Sequence, residues 1–416
     1  MNYIFERTQW AVGHGGFHAG KLASNGLVLF NYFYDCGSKE AKESQAKKNI
    51  TKSLAETTYD FGVLSHFDND HVSEILTAKE VKILFLPYMS PADYLLYILS
   101  YGTAVKDMKS ASKIYANLKA LIGKKIRVVM VRHVDDRSDD GILISVPIDS
   151  TSREFQDGVE VIDDTGERVF NKSGEPILKF RFYNYYPNDL SSALKNALDN
   201  FIEEGKFLDI KGVVFKSDKD FFSQLGSNPT GIIDKNHEQL INLQVKIAKD
   251  SGVRNITPKN LSSLTLYSHC NNNRYDIFAN ELSSREQRFV NAVRSGWMLT
   301  GDLELLEGIS ENFRDHYGDI LDEILVFNIP HHASSQAFDK NSLCLLSRKS
   351  VFISSVKDGD EHHPSLRLYK KMSENGFVAP HNVSEVQSST FSVRINLKPR
   401  RFSRSEYYDA LRDLLG

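Results

Sequence analysis

Cysteine is scarce in this 416-residue chain, which carries only Cys36, Cys270 and Cys344. An odd, widely spaced set of this kind excludes a disulfide framework and a sulfur-rich zinc site, so the thiols read as core or incidental groups. Net charge is scarce too: 51 Lys and Arg stand against 54 Asp and Glu, a formal −3. Such a chain has no global attraction for a polyanion and would need a local basic surface to hold one. Residues 47–52 and the tail 398–404 are the candidates, although basic runs are more often solvated faces. No uninterrupted apolar run approaches the roughly 18–20 residues that span a bilayer, and residues 1–7 lack a signal-peptide layout. No membrane contact and a cytoplasmic location are therefore expected. P-loop and G-x-G-x-x-G spacings are also missing, and Gly13-His14-Gly15-Gly16 fits neither, which removes nucleotide binding by those routes. With no internal repeats and no long disordered linker, one elaborated domain over residues 1–416 is expected.

What is present is an ordinary globular composition, 41% hydrophobic and 25% charged, able to bury a substantial core. Short β-type runs are expected at 9–12, 21–24, 28–34, 60–64 and 81–86, with helical composition over 39–56 and a possible helix start over 72–78. A long helical pattern runs from 91 to 123, followed by a buried strand at 125–134. Residues 159–170 and 177–186 suggest a hairpin, 190–204 and 238–249 helices, and 261–267, 297–300, 324–329 and 351–354 further strands. A final helix is expected over 405–415. The alternation predicts an α/β protein.

The densest chemistry is Ser65-His66-Phe67-Asp68-Asn69-Asp70-His71, where four potential metal ligands fall within six residues just after the apolar run 59–64. Imidazole nitrogens and carboxylate oxygens are common ligands of hydrolytic metal ions, which lower the pKa of bound water to about 7. The theme recurs at Thr300-Gly301-Asp302, at Pro330-His331-His332-Ala333-Ser334-Ser335 and at Asp360-Glu361-His362-His363-Pro364-Ser365. Singly, each has an ordinary explanation as an acidic turn, a surface histidine pair or a helix start. Four such groups at successive strand ends favour one shared metal centre.

Together, His66-x-Asp68-x-Asp70-His71, Leu299-Thr300-Gly301-Asp302 and Pro330-His331-His332-Ala333-Ser334 resemble the metal motifs of the metallo-β-lactamase superfamily. Within it the pattern is most similar to the hydrolase domain of ComEC-type DNA-uptake proteins, which uses H-x-D-x-D-H, T-G-D, H-H-G-S and a late G-H-P. Here the last two read H-H-A-S and H-H-P-S. Val12-Gly13-His14-Gly15-Gly16 and Phe33-Tyr34-Asp35-Cys36-Gly37-Ser38 extend the similarity to the start of the chain.

The resemblance implies a metallo-β-lactamase-like four-layer αβ/βα sandwich with large mid-chain insertions within about 91–259. It also implies two divalent metal ions, zinc or manganese. His66 and Asp68 would hold one ion, Asp70, His71 and His332 the other, and Asp302 would bridge them. Asp70 would also act catalytically by orienting a metal-activated hydroxide, and His363 would contact phosphate or protonate the departing oxygen. His331 is the less favoured alternative to His332 and, with Ser334, Ser335 and His363, a candidate substrate contact. The histidine that many members carry before a mid-chain strand is replaced by Asn260-Leu261-Ser262-Ser263-Leu264, and His269 falls on the wrong side of that strand. His14 and His18 read as hairpin residues rather than catalytic ones. Asp68 in place of an imidazole hardens its site and should raise tolerance for manganese or magnesium.

The reading that follows is a phosphodiesterase or nuclease acting on single-stranded or otherwise accessible DNA or RNA. A small cyclic or linear nucleotide is the nearest alternative, since the chain is slightly acidic. Amide or lactone hydrolysis stays open because fold does not set substrate, as does a non-catalytic binding module stabilised by metal. The insertions are candidates for recruiting a protein partner, and a soluble enzyme of this kind would fit bacterial defence or nucleic-acid processing.

Overall fold

The computed structural model describes residues 1–88, 91–112, 126–132, 159–172, 175–185, 188–251, 263–272, 275–281, 289–290, 294–306, 308–318, 320–338 and 342–399. The expected tail patch beyond 399, the helix at 405–415, the end of the 91–123 pattern and residues 260–262 lie outside these segments.

Seventeen strands are described. They are β1 (Tyr3–Gln9), β2 (Gly15–Ser24), β3 (Leu27–Ser38), β4 (Thr58–Val63), β5 (Glu80–Pro87), β6 (Arg127–Arg132), β7 (Val159–Asp163), β8 (Arg168–Lys172), β9 (Glu175–Tyr183), β10 (Thr265–Cys270), β11 (Tyr275–Glu281), β12 (Phe289–Val290), β13 (Gly296–Leu299), β14 (Ile324–Asn328), β15 (Val351–Ser355), β16 (His381–Val383) and β17 (Phe391–Pro399). A ten-stranded sheet runs in the order β12-β11-β17-β1-β2-β3-β4-β5-β6-β7, and a seven-stranded sheet in the order β16-β15-β14-β13-β10-β9-β8. Between them lies an aromatic-rich core that includes Phe5, Tyr32, Phe61, Phe180 and Trp297.

A second core lies on the outer side of the larger sheet. It joins α1 (Gln45–Glu56) to α3 (Pro91–Ser100), α4 (Val105–Ser112), α5 (Asn188–Glu203), α6 (Asp218–Ser227) and α7 (Pro229–Ser251) through Leu54, Leu96, Leu198 and Leu240. On the far side of the smaller sheet, α8 (Ile309–Tyr317) and α9 (Leu366–Glu374) bury Phe313, Leu368 and Met372. Helix, sheet, sheet, helix is the four-layer αβ/βα order of a metallo-β-lactamase-like fold. No described helix is long and apolar enough to cross a membrane.

Topology decides where chemistry can gather. β3 to β7 pair in parallel, as do β13 to β16, so the C-terminal ends of β3, β4, β13, β14 and β15 can open on one edge, the usual crevice of open α/β sheets. At that edge Asn328 of β14 links Trp297, whose Nε1 donates to its Oδ1 at 2.8 Å, to Gln9 of β1, whose Oε1 accepts from Asn328 Nδ2 at 3.0 Å. Deeper in, the fully buried Arg7 of β1 crosses the interface and donates to the Ser268 and Ser295 carbonyls at 3.1 and 2.6 Å.

Several expectations are corrected. The pattern from 91 is not one helix: α3 ends at Ser100 and α4 starts at Val105, because Gly102 takes φ +137° between them. The strand expected at 9–12 is instead β1, ending at Gln9, and residues 11 and 12 are buried in the turn that follows. Helix α1 begins only at Gln45, capped by Ser44, whose side chain accepts from Lys47 N; hydroxyl caps satisfy otherwise orphaned amides.

Candidate metal centre

The end of β3 is built to receive the ligand loop. Two glycines there are required by contact: a Cβ on Gly37 would lie 2.5 Å from the Asp70 carbonyl carbon, and one on Gly15 would lie 2.8 Å from its oxygen. The β1–β2 turn and the β3 end therefore press directly on the short helix α2 (Asn69–Val72) that carries Asp70 and His71. Asp35, buried at φ +57°, accepts Ser65 N on Oδ1 at 2.7 Å and Ser65 Oγ on Oδ2 at 2.8 Å. Its Oδ2 is also 2.7 Å from His71 Nδ1. A carboxylate only accepts, so Nδ1 donates and Nε2 is turned toward the centre.

Around that nitrogen two buried groups converge. One is His66, His71 and Asp302, the other Asp70, His71 and His332. Within them His66 Nε2 is 3.5 Å from Asp302 Oδ2, His71 Nε2 is 3.4 Å from Asp302 Oδ1, and His332 Nε2 is 3.3 Å from Asp70 Oδ2. His71 Nε2 to Asp70 Oδ2 is 3.8 Å, and His332 Nε2 to Asp302 Oδ1 is 3.9 Å. Most of these separations are too long for good hydrogen bonds. They suit two ligands of one ion, which stand about 3.4 Å apart when each is about 2.1 Å from a tetrahedral cation.

The hydrogen-bond accounting agrees. His66 Nε2, His71 Nε2 and Asp302 Oδ1 are buried and have no hydrogen-bond partner, a condition that costs about 1–3 kcal/mol per group. A divalent cation removes that penalty, so these residues fit a metal. Burial pushes the Asp70 and Asp302 carboxyls up, but the neighbouring His332 and His71 outweigh it and hold both well below the usual range. For His71, burial is outweighed by Asp35 and Asp302, and its value rises.

Other groups frame the centre. His332 Nδ1 donates to the Ser355 carbonyl at 2.8 Å, which aims Nε2 inward. It lies in a left-handed turn of three successive non-glycine residues, His331 (φ +48°), His332 (φ +51°) and Ala333 (φ +58°). His331 is not in either ligand group; its Nδ1 is 2.9 Å from Glu304 Oε1. Asp68 also stands beside the groups, with Oδ1 accepting from Tyr97 Oη and Tyr101 Oη of the α3 region at 2.9 Å each. Ser334 is buried and accepts Gln336 N at 3.3 Å, whereas Ser335 is exposed. Lys39 Nζ lies 2.9 Å from Asp70 Oδ2, and Asp70 leads the charges that outweigh burial and raise the lysine.

His363 lies on the rim with His14 and Asp360. The hairpin reading of His14 is thus incomplete: its ring centroid is 5.1 Å from that of His332. His18 does match a structural role, being buried against Trp297 and 3.2 Å from Tyr32 Oη. His269 is buried in β10 and paired with Glu167 at 3.4 Å, and it belongs to neither ligand group.

No family model and no curated protein matches the chain. Among solved structures, a long-form RNase Z from yeast overlays on 92% of this chain with 9% sequence identity and a TM-score of 0.28; the chain spans 36% of that protein. So loose a likeness bears on neither family nor chemistry, and the site is described by its own geometry.

Sequence reasoning singled out neither Asp35 nor Lys39, Glu304, Tyr97 or Tyr101 as site residues. Asp35 left a signal, an acid inside the apolar run Leu27–Ser38. The tyrosine pair, spaced i, i+4 across the end of α3, reads as core until its neighbour is known.

Proposed function

We propose that this chain is a metal-dependent phosphodiesterase, a nuclease on DNA or RNA, with metallo-β-lactamase-like chemistry at the edge described above. The observation that carries it is the convergence of three unpartnered buried ligand atoms, on His66, His71 and Asp302, beside Asp70 and His332. Zinc or manganese, two ions per chain, suits this mixed imidazole and carboxylate set. When bound, the cations supply Lewis acidity toward a phosphoryl oxygen and make a nucleophile available near neutral pH.

The chain's own groups divide the remaining work. Asp302 carries one oxygen toward His66 and the other toward His71, the placement a bridging carboxylate needs. Asp70 orients the attacking nucleophile. Lys39, more than half exposed and anchored on Asp70, offers positive charge to a phosphate at the mouth. His363, on the rim with the His331 ring centroid 5.9 Å away, is the group assigned to the phosphate or the departing oxygen. The helices between 91 and 251 cover the outer face of the larger sheet and are the surface proposed for a protein partner, within a single domain.

A small nucleotide is the second reading, favoured because the chain is slightly acidic and one rim lysine suffices for one or two phosphates. Cleavage of end-labelled single-stranded and duplex DNA and RNA by metal-stripped protein, restored with manganese, magnesium or zinc, decides between them. Metal-dependent cutting that is lost in Asp70→Ala supports the nuclease. Turnover of cyclic or linear dinucleotides alone moves the assignment to small nucleotides, and turnover of neither moves it to amide or lactone substrates.

A further inference from the structure

We propose that His14, Asp360 and His363 form a third divalent-cation site on the rim, separate from the inner pair. Imidazole and carboxylate atoms of these three residues all lie within 4.8 Å of one another, and the group shares no residue with the inner ones. His14 Nε2 is 3.5 Å from Asp360 Oδ2, and His363 Nδ1 is 3.5 Å from Asp360 Oδ1. Both separations exceed a hydrogen bond and match the spacing of about 3.4 Å between two ligands of a tetrahedral ion. His14 Nε2 is moreover a buried atom with no hydrogen-bond partner.

The surroundings hold these groups in place. The amides of His362 and His363 donate to Asp360 Oδ1 at 2.8 and 2.7 Å, which fixes the carboxylate. Lys39 N donates to the His14 carbonyl at 2.8 Å, and the glycine-rich turn is held against Asp70 by the contact at Gly15. The side chains of His14, Asp360 and His363 are 14, 21 and 24% exposed, so a hydrated ion has access from solvent while the site is still built. Two imidazoles and one carboxylate suit manganese or zinc better than magnesium.

A cation here solves an electrostatic problem. The chain has a formal charge of −3, yet a phosphodiester substrate needs positive charge where it meets the centre. A rim ion supplies fixed positive charge at that mouth, and His363 then meets the phosphate through the ion it holds. This role rests on the phosphodiesterase reading; the existence of the site does not.

Ion counting tests it. Metal-stripped full-length protein is titrated with Mn²⁺, and bound ions per chain are counted by electron paramagnetic resonance of the free ion. The double variant His14→Gln/Asp360→Asn, in which Asn retains the Oδ1 acceptor for the loop amides, should bind one ion fewer than the parent. Asp302→Asn should lose inner ions and keep the rim ion. Equal counts in the parent and the rim variant overturn the third site. An unchanged count in Asp302→Asn overturns the inner centre instead, so the two failures are distinguishable.

Discussion

Asp35 Oδ2 lies 2.7 Å from His71 Nδ1, and the same carboxylate takes both Ser65 donors. His71 stands in both inner groups, and with Nδ1 held by Asp35 its Nε2 is the one nitrogen left to ligate an ion, so Asp35 acts on the centre through this ring. Asp35→Asn exchanges an obligate acceptor for an amide that can present a donor and favour the wrong tautomer. Metal affinity should fall by about 10–100-fold, the usual effect of losing such an outer partner. Competition titration with a chromophoric chelator measures it, and unchanged affinity would remove Asp35 from the centre.

Tyr97 and Tyr101 place two hydroxyls on one oxygen of Asp68. If Asp68 holds an ion with His66, these tyrosines set the carboxylate's angle and basicity. Tyr97→Phe/Tyr101→Phe should weaken one of the inner ions by about tenfold or more and leave the other unaffected. Stepwise calorimetric titration resolves the two, and equal weakening of both would argue against a ligand role for Asp68.

Ala333 occupies φ +58°, where its Cβ crowds the following carbonyl oxygen at a cost of about 1–2 kcal/mol. Glycine escapes that strain but gives back about 0.5–1 kcal/mol of chain entropy. Ala333 is also fully buried in the core, so loss of its methyl costs about 0.8 kcal/mol more, and Ala333→Gly should change stability by less than about 1 kcal/mol in urea unfolding. A larger loss of stability would show that the methyl's packing outweighs the backbone strain.

Glu167 is pushed up by burial, but His269 and Lys179 overcome this and bring it from 4.5 to about 2. Its folded value is thus depressed, so the stability it contributes is present above 4.5 and is lost as pH falls from there toward about 2. Urea midpoints measured across that window should fall less steeply in Glu167→Gln than in the parent. Parallel pH profiles would mean that the His269 and Lys179 contacts at 3.4 and 2.8 Å contribute nothing in solution.

The candidate ligand residues were legible because each sits at the end of a short apolar run, where local order in sequence becomes local order in space. His66, Asp70 and His71 follow β4, Asp302 follows β13, and His332 follows β14. The residues that hold those ligands were not legible. Asp35 meets His71 across 36 positions and His332 meets Asp70 across 262, and no pattern along the chain encodes a separation of that kind.

By itself, then, the sequence determined the α/β alternation, the elements that carry ligands and the residue types offered to a metal, because periodicity and strand-end clustering are local properties. Only the tertiary structure decided which candidate ligands stand together, that Asp68 answers to Tyr97 and Tyr101, and that His14 joins Asp360 and His363. Those facts depend on the pairing of strands such as β1 with β17 and on the packing of two sheets, where burial removes water and leaves each polar atom dependent on whichever partner the fold brings to it.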